Sequence, residues 1–480
     1  GDWLPVPGSP WDAPAAPDLA PVAPIEIEAA VVDGGLTVRL TVLPDAVSDE
    51  VADGLLDAVS RALLTLAAWS TTAGAEALTA RDFPDVDVTR ADLRRWHETH
   101  GPAVDVLPLA PLHAGMLHHA RLAGETRHDR PADTGVDPYV VQSTLTIDGH
   151  LDLPRLRRAV ETVLDRHDAL RVAFLTTADG VDVQYVRPHA ELPWAVADVA
   201  GDPDPDAVLT AFLDHDRLVG FDPADPVRAL VRVGVVRLDR SRHVVVVTHH
   251  HLLLDGWSAA RVTSELLASY HGLALPAPVS PRTWLRSHTA ERTAAAVETV
   301  AREFVGAEPS FLVPTGTRSP AQRPVLFRHA VLDRAQTDAI RERARGLGVT
   351  TAALIQTAWA ITLGRATGRT DVVFGVVVSG RRPDVPQVDD VVGLLATTVP
   401  TRVDLHPTRT SAEVARRVQA QRAELLGHAW PDPATLRRAA GPGAEYDTVL
   451  AIESYPIPEL PVTGGIEVID RTARDATHHP

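Results

Sequence analysis

Four consecutive valines, Val244 to Val247, run directly into Thr248-His249-His250-His251-Leu252-Leu253-Leu254-Asp255-Gly256-Trp257-Ser258. An uninterrupted β-branched run predicts a buried strand. After Ser258, the residues Val262, Leu266 and Tyr270 share one helical face, so a helix packed on that strand follows. Histidines at the end of a core strand, then Asp-Gly, describe a titratable group carried into an interior on a rigid stem. Imidazole there suits proton transfer or hydrogen bonding near neutral pH.

The rest of the chain bounds what such a site can serve. At 480 residues it exceeds one typical core, so two or more globular units are expected. A hydrophobic content of 45% with 23% charged residues belongs to a folded chain. The formal charge of −17 argues against a nucleic-acid partner and against an anionic membrane surface. No apolar run reaches the roughly 18 residues a membrane span needs, and the acidic, proline-rich start does not read as a signal peptide. With no cysteine, disulfides, thiolate catalysis and cysteine metal sites are excluded. These features predict a cytoplasmic protein, and Gly1 suggests a piece of a longer one.

Residues 1–24 read as linker. Ile25 to Glu28, the turn Asp33-Gly34-Gly35 and Leu36 to Leu40 predict a β-hairpin. A helix from Ser48 follows, with Val51, Leu55, Leu56, Val59 and Leu63 on one face, and residues 70–100 read as loop-rich. A larger unit begins near Leu107. Its expected strands are Tyr139 to Ile147, Val181 to Val186, Arg228 to Leu238 and His243 to Thr248, with a helix starting at Pro154. Proline-rich residues 274–282 mark a break. Beyond them we expect a strand near Val325 to Leu332 and helices over 334–347, 350–366 and 411–426. Further strands are expected over 372–378, 398–403 and 448–452.

Several segments together resemble the condensation domains of nonribosomal peptide synthetases, within the chloramphenicol acetyltransferase-like superfamily. The histidine run resembles the His-His-x-x-x-Asp-Gly active-site motif. Leu107 to Leu117 resembles the family's opening motif, and Arg166-His167-Asp168-Ala169-Leu170-Arg171 with Phe174 resembles the second. Phe374 to Arg381, which includes Ser379, and Val391 to Pro400 resemble paired segments of a second lobe. Thr448 to Pro456 resembles a late strand, and Thr477-His478-His479-Pro480 another. The chain departs from the family at Thr397-Thr398, where Asn-Thr is usual, at Ser454, and in an aromatic segment of which Trp284 remains.

The resemblance implies an α/β fold of mixed sheets and helices. Two chloramphenicol acetyltransferase-like lobes would form a V-shaped pseudodimer with the active site in a tunnel between them. Residues 101–280 would be the N-terminal lobe and 281–480 the C-terminal lobe. Residues 1–100 would hold a linker and a hairpin-helix resembling the end of an upstream epimerisation or condensation-type domain, with Asp82-Phe83-Pro84 in the junction. The implied activity is amide-bond formation between a D-configured peptidyl thioester and an aminoacyl thioester. Both would ride on the 4'-phosphopantetheine arms of upstream and downstream carrier domains, with adenylation and epimerisation domains adjacent. No cofactor would bind the chain directly.

Among the site residues, His251 is the candidate base or positioning group, and His250 packs or satisfies local backbone. Asp255 is structural and needs a cationic partner; the resemblance offers Arg171, with Arg166 second. Gly256 would take a backbone conformation, or a close approach, that a Cβ forbids. His249, Trp257, Ser258 and Ser379 are auxiliary candidates. No metal is expected, because successive strand residues point to opposite faces and only His249 and His251 could share an ion. Two rival readings stand beside this one. One is a non-catalytic platform recruiting a tailoring enzyme; the other is a variant using His249 for ring-forming chemistry. An epimerisation domain would continue Val-Ser-Trp where this chain has Trp257-Ser258.

Overall fold

The computed structural model describes residues 23–32, 35–70, 79–127, 137–313, 328–428, 430–453 and 465–474. The chain divides into two compact units, residues 1–78 and 79–480.

In the first unit, β1 (Ile25–Val32) pairs antiparallel with β2 (Gly35–Val42), and α1 (Asp49–Ser70) follows. Strict alternation puts Ile25, Ile27 and Val31 of β1 opposite Val42, Leu40 and Leu36 of β2, so one face of the hairpin is apolar. These two strands form a sheet of their own. The expected turn at Asp33-Gly34 lies outside the described residues.

The second unit opens with α2 (Arg90–His100), a helix inside the stretch expected to be loop. Thr89 caps it by accepting from the Asp92 backbone N–H at 3.1 Å, and the Asp92 carboxylate takes the Thr89 N–H in return. Phe83, Val88, Leu93 and Trp96 are buried in one cluster with Ala173, Leu175, Val183 and Tyr185. The Asp82-Phe83-Pro84 segment therefore belongs to the second unit, because its phenyl ring and the helix behind it have an apolar face to bury.

Next come β3 (Asp105–Pro108), α3 (His113–Arg127), β4 (Val140–Gly149), α4 (Leu153–Arg166), β5 (Val172–Thr176), β6 (Asp182–Val186) and β7 (Trp194–Asp198). They are followed by α5 (Pro205–Leu218), β8 (Val231–Arg237), β9 (Arg242–His250) and α6 (Gly256–Tyr270). A five-stranded sheet has the order β13-β4-β9-β8-β7, where β13 (Ile466–Arg474) returns from the far end of the chain. A smaller sheet has the order β3-β6-β5.

Both faces of the large sheet are covered, which is why β9 reads as continuous valine. Val247 and His249 face a cavity shared with α4 and α6. Val244 and Val246 pack with Leu213 of α5 instead. Thr248 donates to Asp216 of α5 at 2.6 Å.

The remaining elements begin with α7 (Arg282–Arg286), α8 (Ala290–Glu303), α9 (Arg334–Leu347), α10 (Thr351–Thr367) and β10 (Asp371–Val378). They end with β11 (Thr397–Asp404), α11 (Ser411–Leu426), α12 (Pro433–Ala440) and β12 (Val449–Leu450). Asp333 and Gln336 form a capping box at α9, and Gly348 closes that helix at φ 71°. A sheet of order β11-β10-β12 backs a second core containing Val300, Ala353, Leu363, Phe374 and Val418. The first core draws in Trp284, Val388, Val391 and Leu395, so chain from beyond the proline-rich break completes it.

The strand expected near Val325 to Leu332 is not formed in its described part: residues 328–332 have no regular secondary structure, and Val331 is 92% exposed. Residues 325–327 are outside the described residues, as are Ser454 to Pro456 and Thr477 to Pro480. No single described helix is long and apolar enough to cross a membrane.

Candidate active site

The three histidines part company at the end of β9. Val140 and Val141 of β4 pair with His250 and His249, and Val231 of β8 flanks His249 on the other side. His249 is 3% exposed and turns toward α4 and α6, where Val160, Leu170, Leu254 and Val262 line a small cavity. Burial, and secondarily the neighbouring His251, push its imidazole down to about 3. It is therefore neutral at physiological pH.

His250 turns to the opposite face. Its Nδ1 accepts from the Leu252 backbone N–H at 3.1 Å, and its ring lies among Tyr139, Phe221 and the Asp137 carboxylate, 4.0 Å from Nε2. That bond shapes the turn after the strand.

His251 begins the turn itself. Its backbone N–H donates to the Tyr139 carbonyl at 2.7 Å, which fixes the Cα. Its ring is half-buried, and its buried Nδ1 has no hydrogen-bond partner among the described residues. A buried imidazole nitrogen without a partner is uncommon in a folded interior. The His251 ring is thus carried on an anchored backbone while its Nδ1 is left unused among the described residues.

A fourth histidine, His113, braces the turn from the other side. The Ala110 N–H donates to its Nδ1 at 3.0 Å, so Nε2 carries the proton and donates to the Leu252 carbonyl at 2.9 Å. Burial pushes His113 down to about 4, outweighing the opposing effect of the Leu252 bond. The opening motif thus reaches the histidine turn directly. Sequence inspection missed this role, although the histidine stands inside a segment already singled out.

Asp255 caps α6, accepting from the Ser258 N–H at 2.8 Å. It is 3% exposed and pairs with Arg381, 2.7 Å from Nη1. Its Oδ2 also accepts from the Leu395 and Ala396 N–H groups, both at 3.1 Å. Arg381 Nη2 donates to the Ser258 hydroxyl at 2.9 Å, and that hydroxyl donates to the Gly393 carbonyl at 2.8 Å. The Arg381 guanidinium lies 5.4 Å from the Trp257 ring centroid, and the Trp257 indole donates to the Asp389 carbonyl. Ser379 is the turn residue whose hydroxyl accepts from the Arg381 N–H at 3.4 Å.

Arg171 and Arg166, the partners expected for Asp255, are engaged elsewhere. Arg171 donates to the carbonyls of Arg187 and Pro188 and to Asp168. Arg166 and His167 hold Glu265 of α6 at 2.9 and 2.7 Å. Burial alone would raise the Glu265 carboxyl, but the His167 hydrogen bond and the Arg166 and Arg261 charges hold it below the usual range. Arg166 and Arg171 belong to a segment that packs beside α6, whereas Asp255 at the helix start meets a loop more than a hundred residues away in sequence.

Gly256 is the first residue of α6 and is not among the positive-φ glycines, so its backbone conformation does not require glycine. Near this site an added Cβ would not fit at Gly380, at φ 64°, where it would sit 1.9 Å from the Leu395 carbonyl oxygen.

The class this defines is a two-core α/β protein whose central strand delivers a histidine into a site closed by a buried Asp–Arg pair. A family model described as the condensation domain matches residues 105–456. One of the linear gramicidin synthase proteins of Brevibacillus parabrevis is 30% identical over 363 residues, covering 74% of this chain and 7% of its own length. Vanchrobactin synthetase VabF of Vibrio anguillarum is 28% identical, covering 78% and 13% respectively. The chain therefore spans only a small part of the curated relatives it matches.

Among solved structures, the first condensation domain of the calcium-dependent antibiotic synthetase, bound to a substrate analogue, superposes with a TM-score of 0.61 at 24% identity. That match covers 78% of this chain and 85% of the other. The EpoB cyclization-docking bidomain of Sorangium cellulosum gives 0.58 at 19% identity, covering 88% and 81%. The chain belongs to the condensation domain family of nonribosomal peptide synthetases.

Proposed function

We propose that this domain joins a donor peptidyl thioester, D-configured at its reacting residue, to an acceptor aminoacyl thioester. The acceptor amine nitrogen attacks the donor carbonyl carbon, the tetrahedral adduct forms, and the carbon–sulfur bond breaks. The thiol of the donor's phosphopantetheine arm leaves, and the proton lost by the amine ends on that sulfur. An α-amine has a pKa near 8, so a useful fraction is already neutral at pH 7 without a strong base. The main task is then positioning, which can lower the barrier by roughly 7–11 kcal/mol.

His251 is the residue we assign to the amine. The observation that carries this is its buried Nδ1, which has no hydrogen-bond partner among the described residues while the backbone is held in place. Such a ring can orient the amine and relay its proton. Asp255, Gly256, Trp257, Ser258, Ser379 and Arg381 would fix the turn against the second lobe. The two lobes would form a V around a tunnel, with loaded carrier domains entering from opposite faces.

The setting is a cytoplasmic multidomain synthetase, with carrier, adenylation and epimerisation domains as neighbours. The separate hairpin and helix, β1 to α1, would be the end of an upstream epimerisation or condensation-type domain. Its independent sheet supports that reading. The test is mass spectrometry of two carrier domains, one bearing a D-terminated peptidyl and one an L-aminoacyl group, mixed with this chain. Extended peptide on the acceptor carrier is the expected product. No transfer with either donor epimer would overturn the assignment.

A further inference from the structure

The second lobe carries a cleft of about 360 Å³ bordered by the C-terminal end of α10, the end of β11 and the start of α11. Asp371 and Asp404 pair at this end of β10 and β11, while Val378 and Thr397 pair at the end that leads to Arg381 and Ala396. At about 3.3 Å per residue, the eight-residue strands set the two ends roughly 20 Å apart. The cleft is therefore separate from the histidine site.

Arg365, Arg369 and Arg409 line it, together with the hydroxyl residues Thr370 and Ser411 and the apolar side chain of Leu405. Arg369 donates to Glu308 at 2.6 Å and to the Asp371 carbonyl at 3.4 Å through Nη2 and Nε. Arg409 donates through Nη1 to the Asp404 carboxylate and carbonyl. These contacts hold both guanidinium groups and leave Nη1 of Arg369 and Nη2 of Arg409 unused among the described residues. Arg365 makes no ion pair or hydrogen bond with any described residue, and its side chain is exposed.

Arg417 also acts on Asp404, Arg416 on Glu413 and Arg402 on Asp371, so six arginines meet four carboxylates in this region. A positive surplus is a departure for a chain of formal charge −17. Arginine forks match the oxygens of phosphate in pairs. A concave site of a few hundred Å³ with apolar wall and few polar groups is the usual form of a small-molecule site.

We propose that this cleft binds a phosphate group borne on a small molecule with an apolar body. Three guanidinium groups lining one cleft suit a tetrahedral, doubly charged phosphate better than a single planar carboxylate.

The test is isothermal titration of the full chain with inorganic phosphate, phenyl phosphate and phenylacetate at low salt. Phenyl phosphate should bind more tightly than inorganic phosphate, and its affinity should fall as salt rises. Phenylacetate should bind at least about tenfold more weakly. Arg365→Ala should lower phenyl phosphate affinity about tenfold while leaving folding and condensation unchanged, since Arg365 has no partner among the described residues to strand. Absence of binding, equal affinity for phenylacetate, or an undiminished affinity in Arg365→Ala would each overturn the proposal. Arg409→Ala, checked for folding by circular dichroism, provides a second variant with the same expected loss.

Discussion

Asp255 and Arg381 meet as a buried ion pair, 2.7 Å apart and with side chains 4% and 3% exposed, although 126 residues separate them. The carboxylate also caps α6 and accepts two backbone N–H groups of the loop at Leu395 and Ala396. One side chain thereby ties the histidine turn, the helix behind it and the loops at Arg381 and Leu395 together. Removing either partner leaves a buried charge uncompensated, which typically costs about 3–5 kcal/mol. Asp255→Ala and Arg381→Ala should each lose stability on that scale in urea unfolding. Arg381→Lys should rescue poorly, since one ammonium cannot replace a fork contacting Asp255, Ser258 and the Val391 carbonyl. If the double variant is no less stable than either single one, the pair is confirmed; strictly additive losses would argue against it.

His251→Ala should leave the unfolding midpoint near that of the parent and lower dipeptidyl-carrier formation about 100-fold or more. His249→Ala should retain most of the condensation rate, because its ring faces the α4–α6 layer. A selective loss of a second, cyclised product in His249→Ala would instead restore a chemical role for that residue.

Two histidines set an acid limit on folding. His113 and His249 have folded-state values pushed by burial to about 4 and about 3, below the roughly 6.5 of an unfolded chain. The unfolded state then binds more protons, so these groups' contribution is fully present above about pH 6.5 and is lost progressively as pH falls toward 4 and then 3. Urea midpoints should hold from pH 7.5 to about 6.5 and fall progressively from there to pH 4.5. His249→Leu should flatten that slope, and an unchanged slope would remove His249 from the cause.

Gly380→Ala should be destabilising by about 2 kcal/mol or more, because its positive φ is costly for alanine and the new methyl meets the Leu395 carbonyl oxygen. Leu395 also donates to Asp255, so the substitution should lower condensation activity together with stability. Gly256→Ala, at a residue without positive φ, should cost less stability by thermal unfolding.

Much of the architecture is legible in the sequence because it rests on local rules. Continuous valine at 244–247 marks a strand covered on both faces, and the period of 334–347 and 411–426 gives α9 and α11 with the same bounds the structure has. Caps and αL glycines such as Gly348 and Gly368 end helices by backbone chemistry that a short window contains. The strand expected near Val325 to Leu332 fails in its described part, residues 328–332, for a complementary reason. Alternating apolar residues make a strand only where a partner strand is available, and none of the described strands pairs there.

The sequence by itself determined the family, several strands and helices and the identity of the histidine turn, because a motif and its flanking periodicity are properties of neighbouring residues. Only the tertiary structure decided which cation neutralises Asp255, where each of the three histidine rings points, and that His113 braces the Leu252 carbonyl. It also decided that Phe83 and Trp96 pack with Leu175 and Tyr185 and that β13 returns to β4. Arg171, Arg166 and Arg381 are equally cationic on paper. The buried carboxylate takes the one whose backbone the turn at Gly380 brings within reach, and distance in space is not written in distance along the chain.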